Sequence, residues 1–391
     1  MLNYDNLYAN TVKNLKPSGI RRFFGIAAEI PDVISLGVGE PDFVTPQAIR
    51  DAGIASLKAG ETKYTANAGL KEVQAGVSGY LKRRFDLDYD PSQVLVTVGA
   101  SEGIDLALRA FINPGDEVLI PEPSFVAYDA MTRINHGVPV SIVTKEEDEF
   151  RLTPAALKAA ITPKTKMLIF PYPCNPTGGV MRREHMLEIA EVLKDTDILV
   201  LSDEIYAELT YGGIPHVSFA AIPGMYDRTI LVNGFSKAYA MTGWRLGYLT
   251  GCKEAVDMMC KIHQYALMTA PTTAQYAAIA ALKPECDAEI AAMCASYDER
   301  RKMLISRLNG MGLQCFMPDG AFYAFPSIQK TGMKSLEFCE ALLRSKKVAL
   351  VPGDAFGECG EGFIRVCYCY ATEHLVEALN RMEAFLKEIE K

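Results

Sequence analysis

The chain has 391 residues, 49% of them hydrophobic and 23% charged, with a net charge of −8. That length suits one large domain and a smaller one rather than a single small core, and the composition is that of a globular rather than a disordered or fibrous protein. Net negative charge speaks against a phosphate-backbone partner, so no nucleic acid is expected.

Residues 1–45 read as irregular, with "KPSGIRRFF" and the turn-rich "GVGEPDFVTP". Beyond them helices and strands alternate. "AIRDAGIASLKAG" and "LKEVQAGVSGYLKRRF" carry apolar residues at i, i+3 and i+4 and predict helices; the "KRR" at Lys82–Arg84 reads as a solvated helix face. "QVLVTVG" predicts a strand, and "SEGIDLALRAFI" a helix opening on Ser101 as N-cap. Next come strand "DEVLIP", helix "FVAYDAMTRI", strand "VPVSIV", helix "TPAALKAAI", strand "KMLIFPYP", helix "REHMLEIAEVLKD", and strands "DILVLSDEIY", "TILVNG" and "RLGYLTG". Continuous apolar strands alternating with helices indicate an α/β fold, a mostly parallel sheet covered on both faces. From about residue 286 the pattern changes. A long helix, "AEIAAMCASYDERRKMLISRLNGM", leads into strands "AFYAFPSI" and "GFIRVCYC", a smaller α+β unit. The expected division is an N-terminal arm (1–45) that belongs with the small domain, a large domain (46–285) and a C-terminal small domain (286–391).

Ten cysteines show no CxxC pair; Cys367 and Cys369 share one strand face and read as buried reduced thiols. Five scattered histidines give no helical HxxxH, so no metal site is expected. The most apolar stretch, "ALMTAPTTAQYAAIAAL", is broken by Pro271 and threonines, so no membrane partner is expected. "MLNYDNLYAN" has no charged region followed by an apolar one, and a reducing cytoplasm fits the free thiols.

In open α/β sheets ligands bind beyond the carboxyl ends of the strands. The residues just beyond those ends include a small-residue turn into a helix at Gly99, Ala100 and Ser101, suited to a phosphate. They also include Asn175 in "CNPTGG", Asp203 and Tyr206 in "SDEIY", and Ser236 and Lys237 with Arg245 eight residues on. Each has a plain structural reading when taken alone: a tight turn, an Asn-Pro turn, a helix cap. Together they place an anion cradle, an amide, an acid, a phenol, an amine and a guanidinium on one rim. Pyridoxal 5'-phosphate needs such a set: an amine for a Schiff base, an acid for its ring nitrogen, donors to its ring oxygen and a phosphate anchor.

The stretches "SLGVGEPDF", "YTANAGLKEV", "VGASEGID", "PSFVAY", "PCNPTGG", "LSDEIYAEL", "GFSKAYAMTGWRLGY" and "FIRVCY" run in order along the chain. In that order the chain resembles the class I/II aminotransferases of the fold-type I pyridoxal-phosphate superfamily, the aspartate and aromatic enzymes in particular. The resemblance implies Lys237 as Schiff-base lysine and proton shuttle, Asp203 on the ring nitrogen, and Asn175 and Tyr206 on the ring oxygen. It implies Gly99, Ala100, Ser101, Ser236 and Arg245 around the phosphate, Phe125 stacked on the ring, and Tyr64 reaching the phosphate of a neighbouring subunit in a homodimer with shared sites. Arg365 would clamp the substrate α-carboxylate, helped by Asn175 and the Gly39 backbone. The implied reaction moves an α-amino group from an acidic or aromatic amino acid to a 2-oxo acid such as 2-oxoglutarate. A carbon–sulfur β-lyase on the same scaffold is the alternative. A transcription regulator built on such a domain needs a DNA-binding module, for which the stretch ahead of Ser35 is too short. Ser101 stands where bacterial relatives acting on acidic substrates often carry Lys, and "SGIRRFF" is implied to border the side-chain pocket, offering both Arg and Phe.

Overall fold

The computed structural model describes residues 2–15 and 30–389. Its twelve strands are β1 (Ile34–Ser35), β2 (Val94–Thr97), β3 (Glu117–Glu122), β4 (Val138–Val143), β5 (Thr165–Phe170), β6 (Leu199–Asp203), β7 (Thr229–Gly234), β8 (Gly247–Thr250), β9 (Tyr323–Ala324), β10 (Val348–Ala349), β11 (Val351–Pro352) and β12 (Ile364–Cys367). Seven of them form one sheet in the order β2-β8-β7-β6-β5-β3-β4. Every pairing in it is parallel except those of β8, which runs antiparallel to β2 and β7. This is the expected mostly parallel α/β sheet. Its apolar runs have a direct cause: Leu168 and Phe170 pack with helix Arg183–Leu193 on one face, while Met167 and Ile169 pack with helix Ala100–Phe111 on the other. A strand covered on both sides has no face left for polar residues.

A three-stranded antiparallel sheet, β11-β12-β9, carries the C-terminal part. It shares one apolar core with helices Asp287–Gly310, Ser335–Lys346 and Thr372–Ile389. Leu36 is buried in that core, and β1 pairs in parallel with β10. The segment around residue 36 is thereby tied to chain some 310 residues further on.

Several local expectations change. Helix Ala100–Phe111 is capped by Gly99, not Ser101, which is its second residue. Gly99 adopts φ 76°, in the left-handed region that favours glycine, and a Cβ there would stand 2.8 Å from Nη2 of Arg245. The strand expected over "DILVLSDEIY" stops at Asp203, and "AFYAFPSI" is strand only at Tyr323–Ala324. Two helices, Lys253–Ala266 and Thr272–Ala281, lie where no helix is expected; Pro271, which breaks the apolar run, is the N-cap of the second. The "KRR" residues are all three exposed, as expected; in addition Arg84 forms a two-pronged pair with the buried Glu208, and Arg83 reaches Asp287. All ten cysteines are free, Cys367 and Cys369 buried. No helix among the described residues is long and apolar enough to cross a membrane.

Candidate active site

A cavity of about 510 Å³ opens at the rim where β6 and β7 end and β8 begins. Asp203 is the last residue of β6, and Lys237 sits in the turn three residues beyond β7. Ala100 and Ser101, the first two residues of their helix, face the same space. Gly247 opens β8 opposite Thr97 and Gly234, and a Cβ on it would meet the Gly99 carbonyl carbon at 2.6 Å and the Ala100 nitrogen at 2.7 Å. Only glycine lets that helix start lie so close to the sheet.

Of the residues singled out in the sequence, Gly39, Ala100, Ser101, Phe125, Asn175, Asp203, Tyr206, Ser236, Lys237, Arg245 and Arg365 all line the cavity. Gly99 backs it as the helix cap. Tyr64 does not line it; its side chain is 79% exposed on this chain. The "SGIRRFF" stretch lies outside the described residues. Nine lining residues are additional, among them Tyr128, Tyr323, Glu40 and Thr242. Tyr128 could have been found, since it stands three residues after Phe125 and one helical turn brings i and i+3 together. Tyr323 sits in a two-residue strand with no local pattern to flag it.

The electrostatics are dominated by burial. Asp203 is 6% exposed; its Oδ2 accepts the Tyr128 hydroxyl at 2.7 Å and its Oδ1 the Ile205 N–H at 3.2 Å. Burial outweighs both bonds and pushes its carboxyl up to about 6. Burial likewise pulls the Lys237 ammonium down to about 8. Its Nζ donates to the Gly39 carbonyl at 2.6 Å and lies 5.5 Å from the centre of the Phe322 ring. Arg365 donates through Nη1 to Asn175 Oδ1 at 2.8 Å and through Nη2 to the Gly37 carbonyl. Its buried Nε finds no hydrogen-bond partner among the described residues, and its guanidinium lies 4.6 Å from the Tyr323 ring centre and 4.8 Å from that of Phe356.

The two ends of the cavity therefore differ. One is an anion cradle: the first turn of helix Ala100–Phe111, the Ser101 and Ser236 hydroxyls, and Arg245, whose Nη1 is steadied on the Thr242 carbonyl at 3.1 Å. Glu102 in the same turn accepts the Val98 N–H and is held from behind by His263 at 2.6 Å, which fixes the turn. The other end is the Arg365 fork, with an unused donor. Between them stand an acid, an amine and a phenol.

The family model for class I and II aminotransferases matches residues 31–382. The chain belongs to that family. A putative aminotransferase of Bacillus subtilis, YugH, is 52% identical over 376 residues, covering 96% of this chain and 97% of the relative. An aspartate aminotransferase of Pyrococcus abyssi is 46% identical over 376 residues, with the same coverage of 96% and 97%. A solved aromatic aminotransferase from Pyrococcus horikoshii superposes with a TM-score of 0.90 at 43% identity, covering 95% of this chain and all of that one. This aminotransferase is thus a transferase acting on amino acids and 2-oxo acids, and its relatives give no support to the carbon–sulfur lyase alternative.

Proposed function

We propose that this aminotransferase uses pyridoxal 5'-phosphate, works as a cytoplasmic homodimer, and transfers the α-amino group of an acidic or aromatic amino acid to a 2-oxo acid such as 2-oxoglutarate. One observation carries the reading: an anion cradle, a buried acid, a buried amine, a phenol and a half-satisfied arginine fork converge on one cavity. The donor set fits the cofactor. The helix start with Ser101, Ser236 and Arg245 takes the phosphate, Asp203 the ring nitrogen, Asn175 and Tyr206 the ring oxygen, and Phe125 the ring face.

When bound, the cofactor supplies a carbonyl that links to an amine and a ring that spreads the charge developing at the substrate Cα. The chain does the rest. Asp203, a carboxylate kept from water, favours a protonated partner nitrogen within its reach. Lys237, with an amine that exchanges its proton near pH 8, takes the Cα proton and returns it on the other side of the transfer. Arg365 offers a planar fork to the α-carboxylate, which selects α-amino and α-oxo acids.

Tyr64, exposed on this chain, is assigned to the phosphate of a neighbouring subunit. The large cofactor domain is taken as residues 46–285, and the small domain as 286–391 joined by the arm 1–45. The range of donors rests on the names of the relatives, one an aspartate and one an aromatic enzyme. A panel of amino donors with 2-oxoglutarate tests it. Turnover with aspartate or an aromatic donor is expected, and no oxo-acid-dependent turnover with any donor of either class would sink the proposal.

A further inference from the structure

Tyr323 belongs to none of the motifs that mark the family in this sequence, yet it touches three parts of the site. It is 2% exposed, on β9, opposite Cys367 of β12, the strand that bears Arg365. Its ring forms the platform under the Arg365 guanidinium, 4.6 Å away. Its hydroxyl lies 2.7 Å from the Tyr206 hydroxyl. The same hydroxyl stands 2.0 Å from where a Cβ on residue 39 would be, so the strap carrying the Gly39 carbonyl is moulded onto this side chain and admits only glycine there.

The direction of the hydroxyl pair is set by the number of protons. Each phenol has one. Both tyrosines line the cavity, and apart from each other neither hydroxyl has a partner among the described residues; that of Tyr323 is packed against Gly39. On the reading proposed above, on which this inference rests, Tyr206 spends its proton on the ring oxygen of the cofactor. Its own oxygen is then filled from behind, and among the described residues only Tyr323 is placed to fill it. We infer that Tyr323 is a positioning residue that joins the two halves of the site: its hydroxyl donates to Tyr206 and turns that proton into the cavity, while its ring sets the plane of Arg365. A hydrogen bond received strengthens the one given, so Tyr323 makes Tyr206 the stronger donor.

Two variants separate the two roles. Tyr323→Phe keeps the platform and removes the donor. A weaker Tyr206 leaves more negative charge on the ring oxygen, which holds the neighbouring proton of the Lys237 linkage more tightly. The midpoint of the pH titration of the cofactor's visible band should therefore rise by about 0.1–0.7 unit, from a 10–30% loss in a bond to a charged group. The KM for the amino donor should stay within about twofold, because the cation–π contact is retained. Tyr323→Ala removes both, and its KM should rise about 2- to 30-fold. Affinity of the apoprotein for pyridoxal phosphate, followed by fluorescence, gives a readout independent of turnover and should weaken in both variants. A Tyr323→Phe enzyme with an unmoved midpoint overturns the donor role, even if its thermal stability falls, and an unchanged KM in Tyr323→Ala overturns the platform. Should the unmodified protein take up no pyridoxal phosphate, the proposed function is what fails.

Discussion

Asp203→Asn should stabilise the apoprotein while disabling the enzyme. In the folded chain the Asp203 carboxyl is raised from its ordinary 3.8 to about 6 by burial. A carboxyl whose pKa rises on folding destabilises where it must ionise. The penalty is absent below about pH 3.8, grows between 3.8 and 6, and is complete above 6. At pH 7 it comes to about 3 kcal/mol, and at pH 4 to about 0.5 kcal/mol. Asparagine carries no charge and escapes it, but has one acceptor where Asp203 uses two, for Tyr128 and Ile205. Losing one bond costs about 1 kcal/mol at any pH. The variant should then be about 2 kcal/mol more stable at pH 7 and about 0.5 kcal/mol less stable at pH 4. With an unfolding entropy of roughly 2.1 cal/mol/K per residue, that swing is about 3 °C in Tm over a chain of this length. Melting the apo forms of both proteins from pH 4 to pH 7 measures it. A Tm offset that stays flat across this range refutes the assigned burial cost. Saturating pyridoxal phosphate should reverse the order, because only the carboxylate pairs with a cationic ring, and transamination by the variant should fall by roughly 10²–10³-fold or more.

Borohydride reduction of the yellow holoenzyme and then peptide mapping should place the cofactor on Lys237; a label elsewhere removes that lysine from the chemistry. Arg365→Lys should raise the KM for amino donors far more than it weakens cofactor binding, because an ammonium cannot reproduce the planar fork; equal kinetics with every donor would exclude Arg365 from the substrate site. Mixing Lys237→Ala with Tyr64→Ala chains should give hybrids with one intact site, so that activity at limiting cofactor exceeds the sum of the parents. Verified hybrids that show only the average of the parents would place Tyr64 outside a shared site.

The alternation of apolar runs and amphipathic helices made the sheet legible, because a strand buried on both faces and a helix buried on one each leave a local period in the chain. Residues at or just beyond a strand end, such as Asp203 and Lys237, were legible for the same reason: strand ends place them at one rim whatever the rest of the chain does. Of the two helices over 253–281, the alanine-rich Thr272–Ala281 is buried on most sides and leaves little periodicity to read, whereas Lys253–Ala266 is amphipathic, with Ala255, Val256, Met259 and His263 on its buried face. The contacts that shape the cavity were not legible. Arg365 meets Asn175 across 190 positions, Lys237 meets Gly39 across 198, and Tyr206 meets Tyr323 across 117. No local pattern encodes such pairs. They exist because β1 pairs with β10 and Leu36 is buried in the C-terminal core, which brings the strap at Gly37–Gly39 against the rim of the large sheet. The sequence by itself determined which elements form and which reactive residues end them. The packing of the apolar cores against one another determined which of those residues touch, because side-chain distances across a cavity depend on how whole layers meet and not on spacing along the chain.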